Sequence, residues 1–184
     1  MKYSFIAILF IFILLSSCKK EQNPFLVSKN HVGLLTDSTK VMSLKTVFAS
    51  DSIVRYKTDP VLKIPMNFIE IHEKKGALLL TLTPKNVDDS TSTITNIRIE
   101  DSRYKTAKGI SKKSRFKDIQ SAYSISKIDN LISTVVVSVN EINAQFAIDK
   151  TKLPANLRYD MNIKFEPSQI PDNARIKYFF INWY

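Results

Sequence analysis

The chain has 184 residues, with 27 Lys and Arg against 17 Asp and Glu, for a formal net charge of +10. At 44% hydrophobic and 24% charged it has the composition of a globular chain, long enough for one domain or two small ones around a real core. One cysteine excludes a disulfide framework and a Cys-rich zinc site, two histidines leave little for His-based catalysis, and three glycines exclude a Gly-rich phosphate loop.

The N-terminus carries an address. Lys2 precedes an unbroken apolar run, Phe5 to Leu15. A helix needs about 20 apolar residues to cross a bilayer, so this run has signal-peptide length. Leu15-Ser16-Ser17-Cys18 follows, and it resembles the lipobox of bacterial lipoproteins. The resemblance implies cleavage before Cys18 and a diacylglycerol on its thiol. Further acylation would hold the chain stably, because a single chain binds only marginally. Lys19, where an Asp favours the inner membrane, implies the outer membrane, with the body facing the periplasm or cell surface. The expected organisation is a signal peptide (1–17), a lipidated N-terminus and tether (18–29), and two α+β units (30–102 and 103–184). Scarce Gly with abundant Lys, Ile, Asn and Ser is similar to Bacteroidetes proteins. Asp37-Ser38-Thr39, Asp51-Ser52-Ile53 and Asp89-Ser90-Thr91 resemble the O-glycosylation acceptor of that group, and equally read as Asp/Ser turns and caps.

The body reads as α+β, mostly antiparallel strands with two short helices. Asp37, Ser38 and Thr39 offer N-caps, and Val41, Leu44, Val47 and Phe48 recur at helical spacing. Phe68–His72 and Ala77–Thr83 flank a Glu73–Gly76 turn and predict a hairpin. Ile94, Ile97 and Ile99 belong to the next strand. Ser114 is placed to cap a second helix with Phe116, Ile119, Ala122 and Tyr123 on one face. Val135, Val137 and Val139 alternate as a strand, continued by Phe146 and Ile148, then by Ile163 and Phe165. Arg175–Trp183 closes the chain as an apolar, aromatic strand.

Two internal repeats stand out. Gly33–Phe48 and Gly109–Tyr123 both run Gly, apolar residue, polar loop, hydroxyl cap, short helix and aromatic, and each leads into strands. This tandem helix-plus-meander pattern is faintly similar to small outer-membrane assembly lipoproteins and β-lactamase-inhibitor-type proteins, which implies a domain that binds other proteins. The second repeat aligns Phe146–Arg158 with Ile163–Arg175 without gaps, at a period of 17. It reads as two similar strand-exit corners fixed by Pro154 and Pro171, or as a paired surface in which Asn156 with Arg158 and Asn173 with Arg175 touch a partner.

Candidate chemistry is sparse. Arg103, Lys105, Lys108, Lys112, Lys113, Arg115 and Lys117 form a basic run with no acid, leading into the second helix. The run is a candidate site for an anionic lipid, an acidic glycan or an acidic protein face, or simply a solvated loop. An exported chain does not meet nucleic acid, so Tyr104 and Phe116 are not read as base-stacking residues. Glu70 and His72 share a strand face and form at most a surface pair, with no third metal ligand nearby. Ser114 and Lys117 fit S-x-x-K, but the companion elements of that enzyme class are missing. No cofactor is implied. The expectation is a lipid-anchored envelope protein without enzymatic activity, tied to the membrane by its lipid and binding an envelope protein or anionic component. Two alternatives stay open: an unrecognised envelope hydrolase or glycan-acting enzyme, and a carrier whose cavity is lined by Phe179, Phe180, Trp183 and the aromatics of 146 to 165. After cleavage the count falls to 26 basic and 17 acidic residues, +9, of which seven cations lie in Arg103–Lys117.

Overall fold

The computed structural model describes residues 23–58, 65–86 and 88–184. The signal peptide and Cys18 lie outside them, as does Ile64. The chain is α+β, dominated by antiparallel strands. It opens with three two-residue strands, β1 (Leu26–Val27), β2 (His31–Val32) and β3 (Leu35–Thr36). A 3-10 turn at Val41–Ser43 runs into helix α1 (Leu44–Val47). Four strands follow: β4 (Ser52–Thr58), β5 (Pro65–His72), β6 (Leu78–Pro84) and β7 (Ile94–Ile99). After β8 (Lys105–Thr106) and helix α2 (Phe116–Ala122), four more complete the fold: β9 (Lys127–Asn130), β10 (Thr134–Val139), β11 (Ala144–Asp149) and β12 (Ile176–Asn182).

The order helix, then four strands, therefore occurs twice. Both meanders enter one eight-stranded sheet, β4-β5-β6-β7-β12-β11-β10-β9, antiparallel throughout. The seam is the β7–β12 pair, where Phe179 opposes Ile99 and Ile181 opposes Ile97. One core cluster spans both units. Side chains alternate across a strand, so one face carries Ile69, Ile71, Leu80, Leu82, Ile97, Ile99, Val135, Val137, Phe146 and Phe179, all buried. Both helices and the small sheet β3-β2-β1-β8 cover this face, contributing Val27, Val32, Leu35, Leu44, Phe116 and Ile119. Trp183 joins them, and its indole N–H donates to the Lys29 carbonyl at 2.9 Å.

The sheet has two distinct ends. The end of β5, the Glu73–Gly76 turn, the residues after β7 and the β9–β10 turn at 131–133 share one end. The chain enters at this end too, because Arg103 lies 4.7 Å over the Phe25 ring and 2.6 Å from the Glu73 carboxylate. We call it the proximal end. The β10–β11 turn, closed by Asn143 at φ 51, and the end of β12 form the distal end.

Several local expectations are corrected. The hydroxyl caps do not sit on the helices. Thr39 Oγ1 accepts the Thr36 N–H at 2.9 Å, and Ser114 Oγ accepts that of Ser111 at 3.1 Å. Both close the turn before the helix instead. The N-cap of α2 is Arg115, and the Asp118 carboxylate in the first turn accepts its N–H at 2.7 Å. Ile163–Phe165 is not a strand: the carbonyl of Ile163 is held by the Asn130 amide, and Phe165 reaches the core from a loop. In the 17-residue repeat only the corners coincide. Asp149 and Glu166 each precede a 3-10 turn, Leu153 and Ile170 are buried after it, and Pro154 and Pro171 follow. The sequence pattern predicts neither the edge strands β4 and β9 nor the two-residue strands β1, β2, β3 and β8.

Candidate functional site

The second face of the eight-stranded sheet is uncovered by any other element among the described residues. Its middle row runs Glu70, Thr81, Arg98, Phe180, Gln145, Ser138 and Lys127 in direct cross-strand register. A flanking row holds Tyr178, Ala147, Val136 and Asp129. Most of these side chains are half-buried, each shielded by its neighbours on the pleated surface. The face is aromatic and polar rather than purely apolar.

Arg98 is its centre. Its guanidinium lies 5.7 Å from the Tyr178 ring centroid and donates to the Glu100 carboxylate. Glu100 is also paired with Lys112. Burial alone would raise the Glu100 carboxyl, but the hydrogen bonds from Lys112 and Arg98 outweigh it and hold the carboxyl below its ordinary range. Arg98 is thus fixed beside Tyr178 and Phe180, whose rings sit 6.0 Å apart. Near the first edge, His72 Nε2–H donates to Glu70 at 2.9 Å, and the Tyr56 hydroxyl lies within the field of the same carboxylate. The Glu70 charge pushes the Tyr56 phenol up. Tyr56 in turn stacks on Phe68 at 4.8 Å. Toward the distal end, Asn96 donates to Asn182 at 2.8 Å. Beyond it a groove of about 360 Å³ is lined by Ser126, Asp129, Ser138, Asn140, Gln145 and Tyr184.

The basic run is placed differently from its look in the sequence. The fold brings acids to four of its seven cations. Arg103 pairs with Asp101 and Glu73, Lys108 with Glu141, Lys112 with Glu100, and Lys117 with Asp172. Lys105, Lys113 and Arg115 are exposed and in no such ion pair among the described residues. The run is also divided in space. Arg103 and Lys112 lie at the proximal end, whereas Lys108 reaches Glu141 and the Tyr123 ring at the distal end. Ser114 and Lys117 are not brought together as a nucleophile and its base, since each side chain is engaged elsewhere. Glu70 and His72 do meet. Among the described residues, no three His, Cys, Asp or Glu side chains cluster in a way that would hold a metal. Phe146 and Phe179 are fully buried with ring centroids 4.7 Å apart, so this part of the aromatic stripe fills core. Arg158 donates to the Leu153 carbonyl, whereas Asn156, Asn173 and Arg175 are exposed, with Arg175 bridging Arg115 through its backbone.

No helix among the described residues is long and apolar enough to cross a membrane. No family model matches the sequence, and no curated protein does. Among solved structures, the fold is similar to that of the uncharacterized protein yfeY from Escherichia coli. The TM-score is 0.54 at 15% identity, over 85% of this chain and 98% of that one. At that identity the likeness is one of fold.

Proposed function

We propose that this chain is a lipid-anchored envelope protein that binds a protein partner through the open face of its sheet, without catalysing a reaction. The observation that carries the reading is the uncovered face itself, with Arg98, Tyr178 and Phe180 held half-buried at its centre. Tyr and Arg are the residue types that dominate binding energy in protein interfaces, above all where neighbours already fix their rotamers. The basic run supports an anionic ligand less well, because acids from elsewhere in the chain neutralise most of it. The lipobox supports the anchor and, with Lys19, the outer membrane.

A photo-cross-linking residue at Phe180, introduced into the full chain in intact cells, tests the binding reading. The expected result is one discrete adduct, weakened by Arg98→Glu. A matched probe at Gly109, on the covered side, is expected to give none. Equal labelling at both positions, or none at Phe180, would refute the assignment of the face.

A further inference from the structure

The exposed apolar side chains of this protein are not scattered evenly. Nine large ones are exposed among the described residues, and six of them, Leu26, Leu34, Leu131, Ile132, Tyr159 and Met161, lie at the proximal end. Leu26 and Leu34 flank the entry of the chain, where Gly33 packs against Pro24 and Tyr104. Leu131 and Ile132 form the β9–β10 turn, and Ile132 is 87% exposed. Tyr159 and Met161 sit on the loop whose Asp160 and Ile163 carbonyls accept from Asn130, so that loop is tied to the same turn. The six fall in two groups on opposite sides of one end. Two separate groups at one end suit an extended surface such as a bilayer better than a single contiguous protein patch.

The charge around them has one prevailing sign. Lys152 and Lys164 are exposed and Arg158 half-buried, against the single acid Asp160, while Lys150 is buried. On the other side, Lys74, Lys75, Lys105 and Lys113 are exposed and in no ion pair among the described residues. Most acids on that side are already engaged: Glu73, Asp101 and Glu100 are bound by Arg103 and Lys112, and Asp51 lies within the field of Glu73 and Arg103. Apolar tips among unpaired lysines are complementary to the boundary between headgroups and acyl chains of an anionic bilayer.

The tether gives the same direction independently. Four residues, and so five Cα–Cα steps, separate Cys18 from Asn23, the first described residue. Fully extended, they reach roughly 18 Å at about 3.5 Å each. Resting on the lipid-anchor reading above, we infer that the proximal end is an interfacial surface seated on the anionic membrane that holds the lipid. Leu34, Ile132 and Tyr159 then dip into the headgroup layer, and the strands point away from it. The open sheet face stands upright, clear of the bilayer.

The full lipidated chain, reconstituted into vesicles of phosphatidylcholine and phosphatidylglycerol, provides the test. Three variants carry one added indole each: Ile132→Trp and Leu34→Trp at the proximal end, and Tyr184→Trp at the distal end. Trp183 is a common background. Brominated acyl chains quench only an indole that reaches the acyl boundary, so emission at 132 and 34 is expected to fall about twofold, with 184 unchanged. Any other pattern in vesicle-bound, folded protein overturns the orientation, including quenching at only one proximal site or equal quenching at all three. Exchange of phosphatidylglycerol for phosphatidylcholine is expected to weaken the signal at 132 and 34, and an unchanged signal would remove the role of the lysines. Flotation separates the two readings. A chain that does not float overturns the anchor and the orientation together. A chain that floats with 132 unquenched overturns the orientation alone and leaves this end to a protein.

Discussion

Phe179→Ala is the sharpest test of the fold. The side chain is fully buried, 4.7 Å from the Phe146 ring in its own unit and opposite Ile99 across the β7–β12 seam. Truncating a core Phe costs about 3–5 kcal/mol, the transfer term plus the cavity left behind. For a chain of this size each kcal/mol lowers Tm by about 2–4 °C, so the expected drop is about 6–20 °C. Because one core serves both units, the whole chain is expected to unfold together. Thermal melts followed by far-UV circular dichroism and by Trp183 fluorescence are expected to shift in a single coincident transition. Amide exchange is expected to quicken in β6 and β7 as well as in β10 and β11. A double-mutant cycle with Ile99→Ala is expected to show coupling of about 0.5–3 kcal/mol. Two resolved transitions with only one displaced, or a cycle that is additive, would refute the single-core account.

Four further outcomes follow from named residues. Cys18→Ala is expected to abolish palmitate labelling of the chain in cells, and persisting label would refute the lipid anchor. Phe180→Ala, once the partner is captured, is expected to weaken binding by about 2 kcal/mol, roughly thirtyfold in Kd, with Tm little changed. Gly33→Ala is expected to destabilise more than Gly109→Ala in chemical denaturation. Both have positive φ, but a Cβ at 33 would meet the Pro24 carbonyl oxygen at 2.3 Å, while one at 109 meets open space. Asp149 is held down to about 2 by the Lys177 ammonium and the Thr151 N–H and hydroxyl. Its stabilisation is therefore present above the ordinary carboxylate value and lost as pH falls from about 4 toward 2. The Tm deficit of Asp149→Asn is expected to shrink across that window, and a deficit constant with pH would refute the pair's contribution.

Much of the covered face was legible because burial on one side leaves alternation in the sequence. Ile97 with Ile99, and Val135 with Val137 and Val139, record it directly. The edge strands leave no such record. In β4, Ser52, Val54, Arg55 and Lys57 are exposed, and in β9 only Ile128 packs against the core. Ile163 and Phe165 show the opposite failure, an alternation made by a loop that sends one ring inward. The open face was legible only in fragments, as Glu70 beside His72. Its other members meet through pairings such as Arg98 with Phe180, 82 residues apart in the chain. The basic run misled for the same reason, since the acids that quench it come from Glu73, Glu141 and Asp172.

The strand order mirrors itself about β7 and β12: first strands outermost, last strands joined. Two like units that pair their final strands antiparallel have the strand order that an isologous homodimer would give. Here both halves are covalently continuous, so an association that would depend on protomer concentration becomes intramolecular, with an effective concentration set by the segment from β7 to α2. A duplicated unit so joined no longer needs identical faces. One half is free to keep Arg98 and Glu70 while the other carries Gln145 and Ser138, giving an asymmetric binding surface that a true homodimer could not display.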